Sequence, residues 1–253
     1  MPLLLLDLDN TLVDRDAAYR ATLSDFLAGH GLPEGDIDWL MSVDASGYTP
    51  RPEVARAMRG RYGDRVPRDA VRDLLDRGAA DRVVLSGPVR GALARARTAG
   101  WTLVIVTNGR TAQQETKIRN TGLDALTHGW VVSEAVGHKK PAPEIFHAAA
   151  ATVGAGLEGA WVIGDSPQAD IAGAAGIGAR SVWVSAGRPW TGTAHTPTRT
   201  APRHRLRHLL GRRHPGVRGG RVTSPRRPRS ADAAPRRAAR PPGRSADRRS
   251  TAP

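Results

Sequence analysis

The sequence predicts an α/β fold with a parallel sheet core, an inserted all-helical domain and a disordered C-terminal tail. Two observations point to the core: short apolar runs alternate with helix-like stretches, and polar clusters follow several of those runs directly. A third observation points to the tail, since the composition changes sharply after Gly187.

Five apolar runs predict buried parallel strands, because strands covered by helices on both faces read as continuous apolar segments. Helix-like stretches lie before or between the last four runs. One carries Val89 and Leu93 on a single face, and another carries Ile145 and Ala149. Connections of this kind bring the carboxyl ends of the strands to one edge of the sheet. The predicted strands are Leu3–Leu6, Leu103–Thr107, Trp130–Ser133, Ala160–Ile163 and Arg180–Ser185.

The interval between the first two strands is different, because its apolar residues have helical spacing throughout. Tyr19 and Leu23 begin the first of four such apolar faces, and no strand pattern interrupts them. We therefore predict a helical domain of residues 15–85, inserted into a core made of residues 1–14 and 86–187.

The basic charge belongs to the tail. Residues 188–253 hold 18 Arg and two acids, a charge of +16, so the chain's net +14 leaves −2 for residues 1–187. The tail has too few large apolar residues to offset its ordering entropy, and we expect disorder. Three readings stay open: a disordered appendage, an Arg-rich arm that binds nucleic acid, or a shifted reading frame after about Pro202 in G+C-rich DNA. Because aromatic residues are scarce beyond Trp190, we do not expect nucleic acid among the partners.

Composition excludes several classes of protein. The chain has no Cys, which excludes disulfides, thiolate metal sites and a Cys nucleophile. The apolar start, residues 2–6, is too short for a signal-peptide core, and no run approaches the roughly 20 apolar residues of a membrane helix. We expect a cytoplasmic protein with no membrane partner. Its oligomeric state stays open.

The most informative polar cluster is Asp7-Leu8-Asp9-Asn10-Thr11, directly after the first strand. Two acids at the end of a buried strand need a cation or hydrogen bonds to offset their burial. A carboxylate in this position can attack phosphorus, as in enzymes that form an aspartyl-phosphate. The alternative is an Asp that caps a turn.

Three further clusters follow later strands. Thr107 and Asn108 end the second strand, where they can donate hydrogen bonds to phosphate or cap a helix. Lys140, one of only three Lys in the chain, precedes a Pro and can neutralise phosphate charge. Asp165 and Asp170 follow the fourth strand.

In this order, the clusters resemble the four motifs of the haloacid dehalogenase superfamily, whose members are mostly phosphatases. The resemblance covers residues 3–187. It implies a Rossmann-like parallel sheet core with a helical cap, residues 15–85, inserted after the first motif. The matching residues are Asp7, Asp9 and Thr11 of D-x-D-x-T, then Thr107, then Lys140, then Asp165 and Asp170 of G-D-x-x-x-x-D.

The resemblance also implies a metal and two catalytic acids. Asp7 would be the nucleophile, and Asp9 would protonate the leaving alcohol and later deprotonate the attacking water. Mg²⁺ would be bound by the carboxylates of Asp7 and Asp165 and by the backbone carbonyl of Asp9.

The resemblance also implies three residues that bind the phosphoryl group and one that supports the site. Thr107, Asn108 and Lys140 would hold the phosphoryl oxygens as charge redistributes. Asp170 would either bind the ion through water or orient Lys140, and we favour the second role.

The implied activity is that of a Mg²⁺-dependent phosphatase that hydrolyses a small phosphorylated metabolite through an aspartyl-phosphate on Asp7. The alternatives are a phosphotransferase such as a sugar-phosphate mutase, a 2-haloacid dehalogenase, and a nucleic-acid-binding protein that uses the tail. Asp9 disfavours the dehalogenase, since a halide leaving group needs no proton. Specificity would come from polar residues of the cap, with Ser42, Asp44, Ser46, Tyr48 and Arg51 as candidates.

Overall fold

A computed structural model describes residues 2–192 and 194–201. Six parallel strands form a single sheet in the order β3-β2-β1-β4-β5-β6. The strands are β1 (Leu3–Leu6), β2 (Thr102–Thr107), β3 (Gly129–Val132), β4 (Trp161–Gly164), β5 (Arg180–Val184) and β6 (Arg199–Ala201). The predicted α/β fold class is confirmed.

Helices fill the long interval after β1 and the connections between later strands. The cap helices are α1 (Arg15–Gly29), α2 (Ile37–Asp44), α3 (Arg51–Tyr62) and α4 (Arg68–Arg77), with 3₁₀ turns at Glu34–Asp36, Ala45–Gly47 and Gly63–Arg65. The core helices are α5 (Gly87–Thr98), α6 (Thr111–Asn120), α7 (Ser133–Val136), α8 (Pro143–Ala151) and α9 (Ala172–Gly176), with a π-helical turn at Pro167–Ile171. None of the described helices is long and apolar enough to cross a membrane.

The sheet is buried on both faces, which explains why its strands read as continuous apolar runs. Successive strand residues point to opposite faces. Leu4 and Leu6 of β1 therefore pack in the apolar cluster that includes the cap and α5, while Leu3 and Leu5 pack in the cluster that includes α8. All four side chains are almost completely buried.

The strand order brings the motif clusters to one edge. β1 pairs in parallel with β2 on one side and with β4 on the other. The loops that leave these three neighbouring strands carry the first, second and fourth motifs. The third motif follows β3, which pairs with β2.

One strand lies in the segment for which the sequence predicted disorder. Arg199–Ala201 pairs in parallel with β5, so the expectation of disorder throughout residues 188–253 is wrong for these residues. The strand is held by backbone bonds such as the one from Ser185 N to Ala201 O (3.0 Å), and only Ala201 of its three side chains is buried. A three-residue strand without an apolar pattern leaves no sequence signal. The readings offered for the tail after about Pro202 lie outside the described residues.

Candidate active site

The loop after β1 places two carboxylates at the carboxyl edge of the sheet. Asn10 adopts a left-handed conformation with φ of 58°, which Asn reaches more readily than most residues. The chain then turns tightly, and Leu12 N donates to Leu8 O at 2.9 Å. Asp7 is buried and Asp9 is half-buried. Their side chains contact two different lysines.

Lys140 lies in the centre of a buried ionic network. Its ammonium nitrogen donates to Asp7 Oδ1 at 2.7 Å, to Asp170 Oδ1 at 2.8 Å and to the carbonyl oxygen of Val106 at 2.7 Å. Burial opposes the charge, yet Asp170 and Asp7 outweigh it and raise the pKa of Lys140. The third motif is therefore a fully hydrogen-bonded cation between two acids.

The two acids bound by Lys140 form a group with a third acid, Asp165. Carboxylate oxygens of Asp7, Asp165 and Asp170 lie within 4.8 Å of one another. Burial raises the pKa of Asp7 to about 8; Lys140 opposes the shift, while Asp170 and Asp165 add to it. Burial and Asp170 raise the pKa of Asp165 to about 6, although Arg188 donates to Asp165 Oδ2 at 2.9 Å and opposes the shift.

The donor atoms of this cluster fit a small divalent cation. Asp7 Oδ2 is buried without a hydrogen-bond partner, and oxygen ligands are those that Mg²⁺ prefers. Asp170 is a poorer ligand for an ion, because both of its carboxylate oxygens already accept hydrogen bonds. Lys140 Nζ donates to Oδ1, and Ser166 N donates to Oδ2 at 3.0 Å. Asp7 and Asp165 are thus the best-placed carboxylate ligands. The predicted ligation by the backbone carbonyl of Asp9 stays a prediction.

The second motif lies beside Lys140. Asn108 accepts a hydrogen bond from Lys140 N at 2.8 Å and donates to Lys140 O at 3.1 Å. Its side chain therefore fixes the third motif, and its predicted contact with phosphate stays a prediction. Thr107 is buried, and its hydroxyl accepts from Gln114 Nε2 at 2.6 Å.

Asp9 is held by helix α6. Lys117 Nζ lies 2.8 and 2.7 Å from its two carboxylate oxygens, and Gln114 Nε2 lies 3.0 Å from Oδ2. Burial would raise the pKa of Asp9, but Lys117 and Gln114 outweigh it and lower that pKa. In this arrangement Asp9 is a carboxylate.

Gln114 and Lys117 lie outside the four sequence motifs and were not among the predicted site residues. Two features of the sequence could have indicated these two residues. Lys117 is one of only three Lys in the chain, and the spacing of three residues places both side chains on one face of a helix.

The family follows from comparison with known proteins. A family model described as haloacid dehalogenase-like hydrolase matches residues 1–178, well over half of the chain. The chain belongs to this family. The resemblance drawn from the four motifs is therefore confirmed.

Two curated relatives are phosphatases. Phosphoserine phosphatase of Thermus thermophilus is 30% identical over 226 residues, which span 74% of this hydrolase and 90% of that protein. Glyceraldehyde 3-phosphate phosphatase of Pyrococcus abyssi is 28% identical over 204 residues, which span 72% of this hydrolase and 80% of that protein.

Solved structures of the family share the fold. YfnB of Bacillus subtilis, bound to magnesium, matches with a TM-score of 0.64 and 24% identity, over 83% of this hydrolase and 98% of that chain. A HAD family hydrolase of Deinococcus radiodurans, with bound phosphate and sodium, matches with a TM-score of 0.63 and 25% identity. The match covers 83% of this hydrolase and 95% of that chain.

In this haloacid dehalogenase-like hydrolase, a buried ion pair shapes the cap loop nearest the acids. Arg15 binds Asp44 through both of its terminal nitrogens, at 2.9 and 2.5 Å. Asp44 Oδ2 also accepts from Gly47 N at 2.8 Å, and Ser46 donates to Asp16 at 2.6 Å. Two of the proposed specificity residues, Asp44 and Ser46, thus stabilise the loop itself.

Two other specificity candidates face the core. Tyr48 is 64% exposed, and its hydroxyl lies within hydrogen-bonding reach of Ser166 in the fourth motif. Arg51 Nη2 donates to Gln113 Oε1 at 3.0 Å, and Gln113 Nε2 donates to Leu75 O at 2.8 Å. Gln113 therefore joins the cap to helix α6.

The raised pKa values of the acids predict a pH-dependent effect of Mg²⁺ on stability. Asp7 and Asp165 have pKa values of about 8 and about 6 in the folded protein, against 3.8 in an unfolded chain. At pH values between the unfolded and the folded pKa, the folded state binds more protons than the unfolded state. Without metal, the free energy of unfolding therefore falls as pH rises through this range. A bound cation offsets that loss. We expect Mg²⁺ to raise the Tm more at about pH 8 than at about pH 5. Thermal unfolding by circular dichroism checks this, and an equal Mg²⁺ effect at both pH values would contradict it.

Proposed function

We propose that this protein is a Mg²⁺-dependent phosphatase that hydrolyses a small phosphorylated metabolite through an aspartyl-phosphate on Asp7. One observation carries the proposal: a buried carboxylate oxygen, Asp7 Oδ2, has no partner while Lys140 holds the other oxygen. A carboxylate that is held through one oxygen in this way is oriented for attack on phosphorus by the other oxygen. The phosphatase relatives support the reaction class.

The first half-reaction transfers the phosphoryl group. Asp7 Oδ2 forms a bond to phosphorus as the ester P–O bond breaks, and Asp9 gives its proton to the departing oxygen. Lys140 and the Thr107 hydroxyl stabilise the charge on the phosphoryl oxygens. Asp165 and the Asp7 oxygen that does not attack would hold Mg²⁺, which would offset repulsion between the acids and the phosphate.

The second half-reaction restores the enzyme. Water attacks the phosphorus, Asp9 accepts a proton from it, and the bond to Asp7 breaks to release inorganic phosphate. The carboxylate form that Lys117 favours is the form this step needs. Proton donation in the first step needs the protonated acid, so the contact with Lys117 must lengthen when the substrate is bound.

Phosphate release from several monoesters tests the proposal. We would supply phosphoserine, glyceraldehyde 3-phosphate and an aryl phosphate, each with Mg²⁺ or with a chelator. We expect release with Mg²⁺ and a loss of about 100-fold or more with the chelator, reversed by added Mg²⁺. Activity that ignores the chelator would contradict the metal assignment. Formation of a phosphorylated product without free phosphate would favour the phosphotransferase, and halide release from 2-chloropropionate would favour the dehalogenase.

Lys117→Met tests the role of helix α6 in that reaction. Without the ammonium group Asp9 loses its charged partner, and we expect kcat to fall by about 10-fold to 100-fold. Arg119→Met is the matched control, since it removes an exposed cation two residues further along the helix. Equal kcat values for the two variants, both folded by circular dichroism, would show that Lys117 does not support catalysis.

A further inference from the structure

A basic cavity lies outside the candidate active site. It has a volume of about 200 Å³ and lies between cap helices α3 and α4 and the start of α6. Five arginines and one acid give its lining a strongly positive charge, and the residues of the four motifs do not take part. The charged lining residues are Arg51, Arg59, Arg68, Arg72, Arg110 and Asp76.

The positive charge of the cavity is only partly balanced by the protein. Arg110 pairs with Asp76, and Arg72 lies 3.1 Å from Asp69. Over residues 2–192 and 194–201, neither Arg59 nor Arg68 forms an ion pair with a carboxylate. Two guanidinium groups that face one cavity are therefore available to an anion.

Arg51 supplies an independent sign of a missing partner. Its Nη1 atom is buried without a hydrogen-bond partner, although Nη2 donates to Gln113. Burial lowers the pKa of Arg51. The positive charges of Arg15 and Arg110 lower this pKa further, whereas Tyr19 and Asp44 act to raise it. Among the described residues Arg51 has no carboxylate partner, so its charge adds to that of Arg59 and Arg68 in the cavity lining.

Size and lining restrict the class of ligand. The volume lies below the 300–1,000 Å³ typical of sites for drug-sized molecules, so the ligand is small. Guanidinium groups match carboxylate and phosphate oxygens in pairs. Apolar contacts from Val71 and Leu75 suit a short carbon skeleton. We propose that this cavity binds a small organic polyanion, a metabolite with phosphate or carboxylate groups, at the boundary between the cap and the core.

A pair of double variants tests the proposal. Arg59→Gln with Arg68→Gln removes two charges from the cavity. Arg56→Gln with Arg77→Gln removes two exposed charges from the same two helices outside it. We would titrate citrate and inorganic pyrophosphate into each protein by calorimetry, after divalent metal and chelator have been removed by dialysis and at constant ionic strength.

We expect the wild type and the Arg56/Arg77 variant to bind at least one probe with the same Kd. The Arg59/Arg68 variant should bind it about 10-fold or more weakly. Stronger binding of citrate would identify a carboxylate ligand, and stronger binding of pyrophosphate a phosphate ligand. Three outcomes overturn the proposal: no binding to the wild type, equal affinity in all three proteins, and equal weakening in both variants. Equal Tm values for the variants exclude a folding defect.

Discussion

Replacement of Asp7 by Asn is expected to abolish phosphate release, with a loss of kcat on the order of 10⁴-fold or more. The amide has nearly the shape of the carboxylate but is a poor nucleophile. It also removes the negative charge that Lys140 contacts at 2.7 Å. The substitution therefore removes the proposed attack while it changes the volume of the site very little.

Asp38→Asn is the matched control for this variant, because Asp38 is an exposed cap acid whose side chain is 84% accessible. It should retain wild-type kcat. Rapid acid quench during turnover, followed by mass spectrometry, should find a phosphoryl group on the peptide that carries residue 7 in the wild type and in Asp38→Asn, but not in Asp7→Asn. Residual activity of Asp7→Asn above one tenth of wild type, or a phosphoryl group on another residue, would refute the assignment of the nucleophile.

Lys140→Met is expected to reduce both stability and activity. The Lys140 side chain is 2% exposed and donates to three acceptors, two of them carboxylates. Its loss leaves Asp7 and Asp170 as buried charges without their cation, which typically costs about 3–5 kcal/mol. The cost should be larger at about pH 8 than at about pH 5, because the freed acids bind protons at the lower pH. We also expect kcat to fall about 100-fold or more, since the cation proposed to neutralise phosphoryl charge is lost.

Lys139→Met gives a close comparison, because Lys139 is the exposed neighbour of Lys140. Urea unfolding at both pH values should place Lys139→Met near the wild type and Lys140→Met well below it. If the two variants have the same free energy of unfolding, the buried network does not stabilise the fold as described. If they also have the same kcat, Lys140 is not a phosphate ligand.

The main architecture could be predicted because it depends on two simple properties. The apolar runs of β1 to β5 are long enough to stand out, and parallel topology brings their carboxyl ends together. The same rule predicts that Asp7, Lys140 and Asp165 lie at one edge of the sheet. The helical insert was predicted because its apolar residues have a clear 3.6-residue period.

The polar buried face of helix α6 and the strand β6 could not be predicted from apolar patterns. The buried face of α6 consists mainly of polar residues, Gln113, Gln114 and Lys117, with Ile118 as its apolar member. Their burial depends on partners distant in sequence, such as Asp9 and the cap carbonyls, which a local pattern does not reveal. The same limit applies to Asn108, whose side chain binds the main chain of a residue 32 positions away.

The position of β1 inside the sheet has a consequence for the speed of the proposed reaction. Neighbouring strands hold β1 on both sides, and Asp7 N still donates to Ile163 O at 2.9 Å just beyond the strand. The backbone of the attacking residue is thus immobilised when the chain folds. Its orientational entropy is lost during folding and does not add to the activation barrier of each turnover.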